Sequence, residues 1–245
     1  MTILQAVLLL FGGLAAGFIN TLAGGGSAIT VPIMTEIVGI GVANGTNRIA
    51  ILLANATALT RFQRGGVVPW HRLGRLVPPT VIGAALGAWT ATQTSGDVMR
   101  RVFAFVLVLV AASVLMRPSR WVEGHERDIG EPWRSLLFVG IGFYGGFVQA
   151  GVGFLLLGGL VLGSGMDLVN GNAAKVLLIL AYTPIALLFF ASASQVDIQV
   201  GLVLSVGQMA GAWIAARLAI VKGAAWVRWV LVVAAIVAAL RMLLT

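Results

Sequence analysis

Two cations stand inside long apolar stretches of this sequence, Arg48 and Lys175, and each is followed seven residues later by a polar side chain, Asn55 and Tyr182. Seven residues are two helical turns, so on a helix each pair shares one face. A cation at the centre of a bilayer costs about 2.5–3.5 kcal/mol on insertion scales and normally faces a cavity or a partner. Near a helix end it would instead snorkel to the headgroups. Facing a cavity, a guanidinium fork or an ammonium can take the oxygens of a small anion. Further polar side chains precede both cations, Thr46 and Asn47 in the run Asn44-Gly45-Thr46-Asn47-Arg48 and Asn172 in the run Asn170-Gly171-Asn172-Ala173-Ala174-Lys175.

Upstream of each cluster the backbone itself is a candidate. Residues 17–27 read Gly-Phe-Ile-Asn-Thr-Leu-Ala-Gly-Gly-Gly-Ser, and residues 146–153 read Gly-Phe-Val-Gln-Ala-Gly-Val-Gly. Glycine inside a helix costs about 1 kcal/mol relative to alanine, so three in a row need a reason. A helix broken near the bilayer midplane would aim the free N–H groups of the next segment at an anionic substrate. A surface loop, or close helix packing, would use the same glycines differently. On the first reading the substrate-binding set is Asn20, Thr21, Gly24, Gly25, Gly26, Ser27, Thr46, Asn47, Arg48 and Asn55, with Gln149, Gly151, Gly153, Asn172, Lys175 and Tyr182.

The elements that hold these residues must be membrane helices. The 245 residues are 59% hydrophobic and 10% charged, far from the roughly 25% charge of soluble domains. At about 20 residues per span the chain has room for roughly eight to ten segments. The net charge of +8 does not indicate a nucleic-acid partner, because the basic residues gather in short loops: Arg61, Arg64, Arg72 and Arg75; Arg117, Arg120, Arg127 and Arg134; Arg217, Lys222 and Arg228. By the positive-inside rule those loops are cytoplasmic. There is no cysteine, and both histidines, His71 and His125, lie in polar loops, so no metal or cofactor site and no catalytic constellation is indicated. The apolar start, 3–18, has no basic leader region and is expected to remain as mature structure. Glu36 is the acidic residue placed to lie within a span, where a proton-coupling role or an interfacial position are both open.

The chain repeats itself at an offset near 127 residues, as from Arg48 to Lys175. Gly83 with Gly87-Ala88-Trp89 likewise matches Gly207 with Gly211-Ala212-Trp213. Apolar runs give five segments per half, about 3–21, 26–42, 46–62, 75–94 and 98–116, then 134–150, 153–168, 172–192, 198–217 and 226–244. The loop 61–75 is basic and its counterpart near 191–199 is not, whereas 217–228 is basic and its counterpart at 95–101 is mixed. That swap is the signature of inverted-topology repeats. The expected fold is therefore an all-α polytopic membrane protein of two such repeats, 1–116 and 134–245, each with a broken or re-entrant helix after its first segment. Residues 117–133 form a cytoplasmic linker and both termini lie outside. The small-residue face at Gly83 and Gly87 is open to packing within the chain or between copies in a homo-oligomer.

The stretch at 17–27 followed by Pro32, the Asn-Gly-Thr-Asn cluster at 44–47 and the shorter copy at 146–153 resemble the sulfite exporter TauE/SafE family, also called the toluenesulfonate uptake permease family. The resemblance covers nearly the whole chain. It implies a multi-pass carrier of the bacterial or archaeal inner membrane, working by alternating access on small anions such as sulfite or short organosulfonates, with no enzymatic activity. The second copy lacks the triple glycine and has Gln149 where Asn20 stands, so the two half-sites are not expected to be equivalent. A passive anion channel is the alternative.

Overall fold

A computed structural model describes residues 1–99, 101–102, 105 and 130–244 of the chain. Among these residues all regular structure is helical: α1 (Ile3–Leu22), α2 (Ser27–Val38), α3 (Ile40–Arg64), α4 (Trp70–Leu73), α5 (Val77–Thr92), α6 (Trp133–Phe147), α7 (Val152–Leu162), α8 (Leu168–Ser192) and α9 (Ile198–Leu244). Most of the expected segment 98–116, and most of the linker, lie outside the described residues. Among the described residues three helices are long and apolar enough to cross a membrane, Ile3–Leu22, Leu168–Ser192 and the Ile198–Val227 part of α9. Helix α3 has the length, 25 residues, but its polar cluster lowers its hydropathy.

Two helix starts differ from the expectation. The segments carrying the polar clusters were expected to start at 46 and 172, partway into each cluster, yet α3 begins at Ile40 and α8 at Leu168, so both clusters lie wholly within the opening turns. For α8 the reason is Asp167, whose carboxylate accepts the N–H groups of Val169 (2.9 Å) and Asn170 (3.0 Å) as an N-cap. For α3 it is Gly39, which turns the chain at φ 78° with no spacer after α2. Between the last two expected segments the helical run Ile198–Leu244 is interrupted, as expected, at Gly223, which has non-helical backbone (φ 73°, ψ −173°).

Helices α2 and α7 contain 12 and 11 residues, about 18 and 17 Å at 1.5 Å per residue, against a hydrocarbon core of roughly 30 Å. Neither spans. Each folds back along the helix before it: a Cβ on Gly12 would meet Ile33 at 2.8 Å, and one on Gly159 would meet Ile141 at 3.2 Å. The pairs α1–α2 and α6–α7 are therefore helical hairpins.

Glycine also fixes how these hairpins pack. A Cβ on Gly83, Gly87, Gly142 or Gly146 would fall on the carbonyls of Val139, Phe143, Thr80 and Ala84, which zips α5 to α6. A Cβ on Gly207, Gly211, Gly13 or Gly17 would fall on those of Leu10, Leu14, Leu204 and Gln208, which zips α9 to α1. Small residues let backbones approach in this way. The small-residue face at Gly83 and Gly87 is thus used within the chain. Both zippers join helices of opposite halves, giving one bundle of α1, α2, α3 and the first part of α9, and another of α5, α6, α7 and α8.

The basic loops gather on one face. The ring of Trp213 lies under Arg61 (5.5 Å) and Arg217 (5.8 Å), Arg72 donates to the Ser164 carbonyl (3.3 Å), and Arg72 and Arg134 line one cavity. At the opposite face Asp197 N–H donates to Thr46 Oγ1 (2.8 Å), and Gly96 packs against Ile40. Glu36, near the end of α2, is exposed.

Candidate functional site

The two breaks meet. Gly24 (φ 85°) and Gly151 (φ 74°) turn the chain in the left-handed region where glycine is favoured. A Cβ on Gly24 would overlap Gly153 Cα, and one on Gly153 would overlap Gly24 Cα. Gly25 faces the ring of Phe154, and a Cβ on Gly26 would fall on the Ala16 carbonyl. The N–H groups of Gly25, Gly26 and Ser27 donate to nothing among the described residues.

Arg48 and Lys175 are both fully buried, so neither snorkels to a headgroup. Each reaches across to the broken helix of the opposite half. Lys175 Nζ donates to the carbonyls of Asn20 (3.0 Å) and Thr21 (2.7 Å), the third-last and second-last residues of α1. Arg48 donates through Nη1 to Gly145 (3.3 Å) and through Nη2 to Gly146, the third-last and second-last residues of α6. The last carbonyls of a helix have no partner within it, and a cation there also meets the negative end of the helix dipole. Both cations are therefore reciprocal C-caps.

The two caps are not alike. One turn before Arg48, Asn44 Nδ2 donates to the Phe147 carbonyl (2.9 Å), so α3 serves three consecutive carbonyls of α6. One turn before Lys175 stands Gly171, which has no side chain to offer. Instead Asn172 Oδ1 accepts the third proton of Lys175 Nζ (2.8 Å), which leaves the ammonium fully engaged. The guanidinium of Arg48 lies 4.5 Å over the Phe190 ring, and its Nε has no hydrogen-bond partner.

Other side chains around the breaks also keep unmet hydrogen-bonding capacity. Gln149, buried at φ 64°, has partners for neither amide atom, and Tyr182 Oη, Asn172 Nδ2 and Gln208 Oε1 are likewise unpartnered. A left-handed non-glycine residue and an unmet buried polar group each cost about 1–3 kcal/mol. The Tyr182 hydroxyl sits 2.9 Å from the Cβ position of Gly145, beside the carbonyl that Arg48 holds. Asn47 pins the start of α2, donating to Ser27 Oγ (3.1 Å) and accepting from Thr30 Oγ1 (2.9 Å) and Gln208 Nε2 (3.3 Å).

A model of the family described as sulfite exporter TauE/SafE matches residues 9–242. The chain belongs to this family. Its relatives include the probable membrane transporter protein ORF9 of a Sinorhizobium species, 32% identical with 93% of this chain and 88% of the relative covered. The probable membrane transporter protein YfcA of Escherichia coli K12 is 28% identical over 96% of this chain and 88% of its own length. A probable membrane transporter protein of Haemophilus influenzae is 25% identical, with 90% and 88% covered. No solved structure gives a significant match.

In this TauE/SafE member the structure gathers most of the residues singled out from sequence at the junction of the breaks, with two exceptions. Thr46 caps the start of α9 through Asp197 instead, and Asn55 donates back to Ile51 of its own helix (2.7 Å). Sequence reasoning left out Asn44, although it lies four residues before Arg48 and hence on the same face. It also left out Tyr144, whose hydroxyl donates to the Ala150 carbonyl and ties the second break to α6. A signal existed for Tyr144: the chain has two tyrosines, and both lie here.

Proposed function

We propose that this TauE/SafE member is a secondary transporter that exports a small anion, sulfite or a short organosulfonate, by alternating access, with the anion bound between the two glycine breaks. The observation that carries this reading is the reciprocal capping by Arg48 and Lys175, two buried cations whose partners are neutral carbonyls of the opposite half. An anion is a stronger partner for either cation than a carbonyl. The unpartnered Nε of Arg48, the Gln149 amide and the free N–H groups of Gly25 to Ser27 supply further donors around the same point.

Anion binding and movement are then one event. Lys175 has no proton to spare, so it turns to an anion by releasing Asn172 or the carbonyls of Asn20 and Thr21, and release of the carbonyls frees the end of α1 from α8. A ligand shifts a conformational equilibrium by its difference in affinity for the two states, and that exchange is such a difference. The opposite entry directions of the two hairpins fit inverted repeats, 1–116 and 134–245. The zippers make the moving bodies the two swapped bundles rather than the sequence halves. Contact between Gly24 and Gly153 closes the centre, which suits a carrier better than an open pore.

Sulfite flux into and out of proteoliposomes tests the reading. Saturable flux with counterflow is expected from the wild type, with at least a tenfold loss in Arg48→Ala and Lys175→Ala. Undiminished flux in both folded variants removes the site, and single-channel currents in place of counterflow remove the carrier.

A further inference from the structure

A cavity of about 450 Å³ opens at the basic face, lined by His71, Arg72, Arg75 and Arg134, with Leu76 and Met166 among the remaining walls. Three guanidinium groups from two different parts of the chain converge on it, and among the described residues no Asp or Glu lines it. Arg134 also pairs with Glu131 (2.9 Å). Like charges crowded in a concavity repel one another and are relieved by a bound anion.

The surroundings define which anion. Trp70, adjacent to His71, is 54% exposed, and Trp133, adjacent to Arg134, is 68% exposed. Exposed tryptophans mark the headgroup level of a bilayer, so the cavity lies at that depth. Helices α5 and α6, which lead away from it, expose Ile82, Leu86 and Leu136 to their surroundings. A ligand with an oxyanion at the headgroup level and apolar chains below matches this layout. We propose that the cavity binds a phosphate oxyanion carried on the headgroup of an anionic phospholipid, held by Arg72, Arg75 and Arg134. Basic pockets between membrane helices have the charge and depth for such headgroups. The site is separate from the central breaks and does not depend on what they bind.

Native mass spectrometry and thermal unfolding in vesicle-derived nanodiscs of phosphatidylethanolamine, with or without phosphatidylglycerol, test the proposal. The wild type is expected to retain phosphatidylglycerol and to unfold several degrees higher with it. Arg72→Gln with Arg75→Gln should cut retention at least tenfold, while Arg64→Gln with Lys222→Gln, an equal charge loss from exposed residues, should not. Unfolding in phosphatidylethanolamine alone reports whether each variant is folded. Equal retention by the two double variants overturns the proposal. So does full protection of the detergent-solubilised protein by inorganic phosphate alone, which would make this a site for free anions.

Discussion

Gly24 and Gly153 touch backbone to backbone across the two halves, closely enough that a methyl group on either would overlap the Cα of the other. Gly24→Ala and Gly153→Ala should therefore each force the breaks apart, with lower thermal stability and loss of anion flux. Gly140→Ala is the contrast, since its Cβ position has nothing within 4 Å and lies within α6. It should be neutral, or stabilising by up to about 1 kcal/mol. Fluorescence-detected unfolding of the three variants measures this; wild-type stability in Gly24→Ala would rule out the contact.

Lys175→Met removes the cap from two buried carbonyls and leaves Asn172 without its partner. Each unmet buried group costs roughly 1–3 kcal/mol, so a marked fall in melting temperature is expected. Asn172→Ala, which spares both carbonyl contacts, should fall less. If the two variants unfold at the same temperature, the carbonyl caps contribute nothing.

Arg48→Lys keeps the charge but loses the planar guanidinium that lies over the Phe190 ring and holds two carbonyls as a fixed fork. Stability should lie between those of the wild type and Arg48→Ala, with flux closer to Arg48→Ala. Asn44→Ala should lower stability further in the Arg48→Lys background than the sum of the two single changes, because both serve the end of α6. Strict additivity in the cycle would mean that the two residues act independently.

Glu131, at the basic face outside the membrane helices, accepts from the Ser135 hydroxyl and from Arg134, and those bonds hold its carboxyl below its ordinary value of 4.5. A group with a depressed pKa in the folded state stabilises above its unfolded pKa and loses that contribution as pH falls through the folded one. Glu131→Gln should therefore lower stability slightly at pH 7 and leave it unchanged below the folded pKa. Unfolding temperatures of both proteins from pH 7 down to pH 3 give the comparison; a difference that grew on acidification would contradict the assignment.

Much of the site was legible because its residues are costly where they stand. Buried cations and consecutive glycines are expensive in an apolar segment, and repetition of both pointed to one place. What was not legible depends on distances between helices. That Lys175 would find the carbonyls of Asn20 and Thr21 depends on where α1 stops and which helix crosses it there. Asn55 and Thr46 share the composition of the site, but the first bonds within its own turn and the second faces the start of α9. Pairing Gly83 and Gly87 with α6 was equally out of reach, since small residues show that something packs closely and not what.

The zipper between α1 and α9 also bears on how the protein is made. Leu10 and Gly207, which packs on its carbonyl, are 197 positions apart in the chain, so Leu10 leaves the ribosome well before its partner. Such a non-local contact is slow to form, and an unpaired surface is exposed to misassembly while it waits. Until α9 is made, the glycine face of α1 lacks the partner it packs on. That zipper closes only when α9 arrives.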